Sequence, residues 1–252
     1  MLTNKLFSPK ILYKHSSLQV WRLIMNANNS PSYDEFFAKV KEKISDERCR
    51  NFIEASYKMA KEAHRRQVRD DGERYFEHVK AVAWICLTET TITDQLRLTI
   101  IVCGSLFHDM LEDTYMSKVR HLKIMFDHFH PEITKVAHEL TKVPKKRQPD
   151  ILKRWARMLS SNSTPTKIVK LADRLHNLRT LLHCRHDKAI RKIHETRDII
   201  LPWARDHSKL DKTTNMHPNH RTMFKREING LADKVEQELI AVEKELSALP
   251  VP

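Results

Sequence analysis

The stretch SLFHDMLEDT, Ser105 to Thr114, sets His108 and Asp109 one turn ahead of Glu112 and Asp113 within an apolar segment. Buried carboxylates are costly unless they are paired or bound to a cation. Two readings follow: a buried ion pair or cap, or metal ligands followed by an acid/base pair. On one helix, residues four apart stack on a face and neighbours turn by about 100°. His108 would then share a face with Glu112, and Asp109 with Asp113. The first pair could converge on a cation while the second addresses a water. KLADRLHNLRT repeats the logic, with Asp173, Asn177 and Thr180 on one side and leucines mainly on the other. His78 opens a further helix just after a loop containing Gly72. His78, His108, Asp109 and Asp173 make a ligand set without thiolate, suited to Mn²⁺, Fe²⁺, Zn²⁺ or Co²⁺.

The elements that must hold these groups are helical. Apolar positions step by three or four along SYDEFFAKVKEKIS, ERCRNFIEASYKMAKEAHRRQ, FEHVKAVAWICLTET and TDQLRLTIIVCGSLFHDMLED. MSKVRHLKIMFDHF follows, and Pro131 can open PEITKVAHELTK. DILKRWARMLSSN, STPTKIVKLADRLHNLRTLL and HDKAIRKIHETRDIILPWARDH read as further helices. Beyond a polar linker, Phe224, Ile228, Leu231, Val235, Leu239, Val242 and Leu246 form one stripe on a C-terminal helix. Such stripes mostly pack on their own domain and in a minority of cases pair subunits.

Composition agrees. The 252 residues contain only three glycines, which excludes Gly-rich phosphate loops and disfavours a sheet with many tight turns. The formal charge of +13 points to an acidic partner, and a multiply phosphorylated small molecule accounts for it as well as nucleic acid does. The four cysteines show no CxxC pairing, so a reducing, cytoplasmic setting is expected. No apolar run has the length of a membrane span. His121, His128, His130 and His138 have no diagnostic metal spacing, and solvated or capping roles are favoured for them.

HRRQVRDDGERYFEHVKAVA, SLFHDMLEDT, HELTKV and IVKLADRLHNLRTL resemble, in order and spacing, successive motifs of the HD-domain (p)ppGpp hydrolases of the RelA/SpoT family. KAIRKIHETRDIILPWARDH resembles the helix that closes that domain, and the likeness runs from Glu54 to His207. Too little chain follows Asp206 for the family's synthetase domain, so the chain is similar to the small, single-domain alarmone hydrolases. The resemblance implies Mn²⁺ held by His78, His108, Asp109 and Asp173. It implies that Glu112 and Asp113 position and deprotonate the attacking water. Arg69 would lie over the guanine base, Asn177 and Thr180 would contact the nucleoside, and Tyr75 would line the same pocket. Lys142 is either a phosphate contact or an ordinary surface lysine. Three departures fall near the nucleotide loop: Asp70 for a basic residue, and Arg74 and Val79 for prolines.

The expected fold is therefore all-α, an HD-domain helical bundle with an added C-terminal amphipathic helix. Residues 1–33 read as a basic extension, disordered or accessory, 34–207 as the hydrolase domain, and 208–252 as linker and C-terminal helix. The expected function is metal-dependent 3′-pyrophosphohydrolysis of (p)ppGpp, giving GDP or GTP and pyrophosphate. Alternatives are an HD phosphohydrolase of (p)ppApp or NADPH, and a basic RNA- or protein-binding module with a vestigial site. The expected partner is the guanosine polyphosphate, with no membrane, nucleic acid disfavoured, and a homo-oligomer through the C-terminal helix left open.

Overall fold

A computed structural model describes residues 30–69, 72–112, 118–144, 147, 149–161, 163–208 and 218–248. Of the expected site residues, Asp113 lies outside them, as do Asp70, most of the basic extension and most of the polar linker. The described residues form helices and no strand. In chain order these are α1 (Tyr33–Lys43), α2 (Glu47–Ala63), α3 (Tyr75–Thr88), α4 (Gln95–Phe107), α5 (Lys118–His128) and α6 (Pro131–Leu140). There follow α7 (Ile151–Arg154), α8 (Ala156–Ser160), α9 (Thr164–Arg179), α10 (His186–Glu195), α11 (Leu201–Arg205) and α12 (Pro218–Ser247).

Burial explains which helices are central. In α3 and α4 ten residues each are buried, most of them apolar, and helices buried on most of their circumference must sit in the middle. α9 joins them, buried from Thr164 to His176 although it carries Lys167, Lys170, Asp173 and Arg174. These three helices pack on one another, α2 and α6 cover α4, and α12 lies along α9. Ser32, Asp46, Asp94 and Ser163 cap α1, α2, α4 and α9 through backbone N–H groups. The α4–α6 approach depends on Gly104, where a Cβ would lie 2.8 Å from Val136 Cγ1.

The stripe of α12 is buried against its own chain from Phe224 to Val242, each side chain worth about 1.5–3 kcal/mol when fully buried. Glu89 at the end of α3 ties the arrangement, accepting from Arg179 of α9 (2.6 Å) and Lys234 of α12 (3.0 Å).

Three boundaries differ from the sequence reading. SLFHDMLED is not one helix: α4 stops at Phe107, and His108 to Glu112 run through tight turns. The cause is local. The His108 imidazole Nδ1 bonds the Ser105 carbonyl at 2.6 Å, and Met110 and Glu112 donate to the carbonyls of Phe107 and Asp109, three residues back. The expected helix DILKRWARMLSSN breaks at Trp155 into α7 and α8. The closing helix carries a π-helical segment, Thr196–Ile200, ending two residues before Pro202, whose ring nitrogen has no hydrogen to donate.

Candidate active site

The site forms where α3, the turn after α4, and α9 meet. α3 supplies His78 from its first turn. Its entry is fixed by a loop that closes on itself: Arg69 N–H donates to Glu73 O (2.8 Å), Gly72 N–H to Arg69 O, and Tyr75 N–H to Gln67 O. Gly72 has φ +86°, the left-handed region where a side chain is disfavoured. The turn after α4 supplies His108 and Asp109, and α9 supplies Asp173.

These four groups converge. His78 Nε2 lies 3.4 Å from Asp173 Oδ1 and 3.8 Å from Asp109 Oδ2. His108 Nε2 lies 3.2 Å from Asp109 Oδ2 and 3.8 Å from Asp173 Oδ1. One ligand atom from each of His78, His108 and Asp109 falls within 4.8 Å of the others, spacing that can hold a metal ion. His108 Nε2 is buried and turned inward, with no well-aligned hydrogen-bond partner and the Asp109 carboxylate 3.2 Å away. Its Nδ1 is committed to the Ser105 carbonyl, so that when a cation takes the place of the ring proton, Nε2 is the atom that would face it. The residues present fit a divalent cation.

The side chains of the cluster are also braced by neighbours. Tyr75 Oη donates to Asp109 Oδ2 at 2.6 Å, and Lys170 Nζ to Asp173 Oδ2 at 2.8 Å. Asn177 donates to the other oxygen of Asp173. The Nδ1 atoms of His78 and His176 lie 2.9 Å apart and share one proton-mediated bond.

The electrostatics favour positive charge in the centre. Burial works to raise both carboxyls, yet they are held well below the usual carboxylate range. His108 and Lys142 do this for Asp109, and Lys170 with the two imidazoles does it for Asp173. His108 shows the result: burial opposes its imidazolium, but Asp109 and Asp173 outweigh burial and pull its pKa up to about 9. The same attraction would act on a cation. His78 is pushed down to about 4, by burial first and then by Arg69 and His108.

Glu112 stands beside this cluster, accepting from the backbone N–H of Lys142 at 3.1 Å, with Lys142 Nζ 3.6 Å away. Burial would lower the Lys142 ammonium, but the carboxylates of Glu112, Asp109 and Asp173 raise it, so it stays charged. On the other side, Arg69 Nη2 donates to Asn177 Oδ1 (3.3 Å) and Thr180 Oγ1 (3.4 Å). The fold thus brings together the expected residues that are described: His78, His108, Asp109, Asp173 and Tyr75, with Glu112 and Lys142 to one side and Arg69, Asn177 and Thr180 to the other. His130 and His138 do not join them. His130 caps α6 and His138 meets Arg157. Lys170 escaped the sequence reading, although its position three residues before Asp173 on a helix was the available signal. His176 stands directly behind His78, their Nδ1 atoms 2.9 Å apart.

Comparison with known proteins gives three relevant likenesses. The chain is 37% identical over 161 residues to the GTP pyrophosphokinase rsh of Brucella melitensis biotype 1, covering 60% of this chain and 20% of that protein. It is 33% identical over 194 residues to the guanosine-3′,5′-bis(diphosphate) 3′-pyrophosphohydrolase of Haemophilus influenzae, covering 72% of this chain and 27% of that protein. The matched region thus spans about a fifth to a quarter of the length of these curated relatives. A solved structure of a metazoan ortholog of SpoT, described as hydrolysing ppGpp, aligns at 21% identity with a TM-score of 0.49, over 79% of this chain and 97% of that one. The family model described as HD domain matches residues 56–206, more than half of the chain and the whole of the convergent His and Asp cluster. On that match the chain belongs to the HD domain family, and its inward-facing imidazoles and carboxylates are those of a metal-dependent fold.

Proposed function

We propose that this chain is a metal-dependent 3′-pyrophosphohydrolase of guanosine alarmones, converting (p)ppGpp to GDP or GTP and pyrophosphate. The observation that carries the reading is the convergence of His78, His108, Asp109 and Asp173, flanked by Glu112 and by the Arg69–Asn177–Thr180 group. The Haemophilus relative's name supports the substrate class. His78, His108, Asp109 and Asp173 hold the cation, with Mn²⁺ the favoured metal. When bound, the cation makes water nucleophilic near neutral pH and offsets phosphate charge.

The protein's own groups supply the rest. The Tyr75, Lys170 and Asn177 bonds keep the carboxylates of Asp109 and Asp173 in place. His78 donates its Nδ1–H to His176, which leaves Nε2 free as a ligand. Glu112, with Asp113, positions the water and takes its proton. The water's oxygen bonds to the phosphorus on the ribose 3′ oxygen. That phosphorus–oxygen bond breaks, the ribose oxygen gains a proton, and pyrophosphate leaves. Lys142 offsets charge on the phosphates. Arg69 stacks on the guanine, and Tyr75, Asn177 and Thr180 line the nucleoside pocket.

We also read residues 34–207 as the hydrolase unit, residues 1–33 as a basic extension and 208–252 as an accessory segment. The setting is cytoplasmic; no helix among the described residues is long and apolar enough to cross a membrane. Any pairing of copies through α12 would use its outer face, because the apolar stripe is already covered.

The test incubates purified, Mn²⁺-loaded protein with guanosine tetraphosphate, its adenosine counterpart and NADPH, and resolves the products. Pyrophosphate and GDP should appear from the guanosine compound. Glu112→Gln should bind metal normally and lose turnover by a large factor, since an amide cannot accept the proton. Absence of pyrophosphate from the metal-loaded protein overturns the reading, and loss of metal in Glu112→Gln makes that residue a ligand.

A further inference from the structure

α12 reaches the nucleoside side of the candidate site through one carboxylate. Glu89, the residue that closes α3, accepts from both terminal nitrogens of Arg179, at 2.6 and 3.2 Å. Its Oε2 also accepts from Lys234 Nζ of α12 at 3.0 Å, and its backbone carbonyl from the same ammonium at 3.3 Å. Burial works to raise the Glu89 carboxyl, but Arg179 and Lys234 outweigh it and hold it below its ordinary value. Arg179 is the last residue of α9, where a helix leaves its final carbonyls without partners of its own. Asn177 stands two residues before it and Thr180 one after, the pair that holds Arg69 at 3.3 and 3.4 Å. Thr180 closes the helix, its backbone N–H on the His176 carbonyl at 3.2 Å. Asn177 and Arg179 lie about 200° apart around the helix, so Arg69 grips the end of α9 from one side and Glu89 from the other. Asp173, in the body of α9, has its own brace in Lys170. α12 also pairs with Arg205 of α11 through Asp233 (2.8 Å) and Glu236 (2.7 Å), contacts that hold the same helix without engaging Glu89.

We propose that Lys234 and Glu89 are positioning residues for the nucleotide: through Arg179 they set the end of α9, and with it Asn177, Thr180 and the Arg69 these two hold. α12 thereby tunes nucleotide affinity and leaves the metal ligands alone. The proposal rests on the hydrolase reading above. The coupling runs along direct contacts, from Lys234 to Glu89 to Arg179 and then along one turn of backbone. Glu89, Arg179 and Lys234 keep 21%, 25% and 42% of their side-chain surface exposed, so the grip is modest and salt weakens it.

The experiment measures steady-state kinetics of the full, Mn²⁺-loaded chain with guanosine tetraphosphate, and amide hydrogen exchange of the same proteins without nucleotide. Lys234→Met should raise KM by about threefold at low salt, the worth of a partly exposed ion pair, with kcat and metal content at the parent's level. Exchange should quicken from Asn177 to Thr180 and stay unchanged in α4. Lys234→Arg should restore both readings. Glu89→Gln, which deprives Arg179 and Lys234 of their shared carboxylate, should exceed Lys234→Met. The rise in KM should shrink as salt is added, which a packing defect would not do. Arg205→Gln, which cuts the other α12 contacts, should leave KM alone; a rise equal to that of Lys234→Met overturns the assignment to Lys234. Unchanged KM in both Lys234→Met and Glu89→Gln, alongside normal alarmone hydrolysis, overturns the proposal and leaves the hydrolase reading standing. Faster exchange at the end of α9 in a chain that cleaves no guanosine alarmone keeps the grip of α12 on α9 and overturns the hydrolase.

Discussion

Replacing Lys192 by methionine should make the protein more stable, and the gain should fade as pH rises. The ammonium titrates at about 7 in the folded chain, against 10.5 for a solvated lysine, because it is buried and faces Arg174 and Lys142. Between those two values the unfolded chain binds more protons than the folded one, so the parent's stability climbs with pH through that window. Integrated, the folded state carries a cost of about 4 kcal/mol at pH 7 and about 1 kcal/mol at pH 9.5. Lys192 is half-buried, and partial solvation halves the first figure to about 2 kcal/mol. Methionine keeps the straight aliphatic stem and helix propensity of lysine without the charge, so packing on α10 is retained. Urea unfolding of parent and variant at pH 7 and pH 9.5 measures the effect, and all other titrations cancel in the difference. A variant no more stable than the parent at pH 7, or a gain undiminished at pH 9.5, would refute the reasoning.

Other expectations follow from single contacts. Tyr75→Phe deletes the 2.6 Å bond to Asp109 Oδ2 and should weaken metal retention by about 10-fold or more in a chelator competition; unchanged affinity removes Tyr75 from the support of Asp109. Arg69→Ala should raise KM for guanosine tetraphosphate while metal content, read by atomic spectroscopy, stays at the parent's level; parallel loss of metal would mean that Arg69 holds the loop and not the base. Gly104→Ala should cost about 1–3 kcal/mol in urea unfolding, because its methyl meets Val136 at 2.8 Å. Adding Val136→Ala should return part of that loss, and a cost that persists in full would place the strain elsewhere.

The convergent cluster was legible because its chemistry is written in short-range spacing. A histidine in the first turn of α3, a His-Asp pair after α4, and an aspartate on α9 each stand inside apolar runs where ionisable groups need partners. The all-α class was legible from helical periodicity and the scarcity of glycine. What the pattern misjudged was where helices end. The stop after Phe107 comes from one imidazole-to-carbonyl bond, His108 to Ser105, which no apolar periodicity records. As a result, His108 and Glu112 do not share a helical face. They reach the same site from a turn, and Glu112 faces Lys142, thirty residues onward. The break at Trp155 and the π segment before Pro202 are likewise set by local exceptions within runs that look regular.

A cavity of about 620 Å³, lined by Lys142, Arg154 and Lys192, was hidden for a different reason. The sequence reading left Lys142 as a phosphate contact or an ordinary surface lysine and singled out neither Arg154 nor Lys192. Only packing sets α10 opposite the α7–α8 break and turns their side chains inward. α9 shows why this matters for the site. Its leucines secure the core, while Lys170, Asp173, Arg174 and Asn177 lie on the buried polar side. Lys170 braces Asp173 toward the His-Asp cluster, and Arg174, one residue on, takes Glu195 from the cavity wall. One helix thus holds Asp173 in the His–Asp cluster and, one residue on, pairs Arg174 with Glu195 of α10.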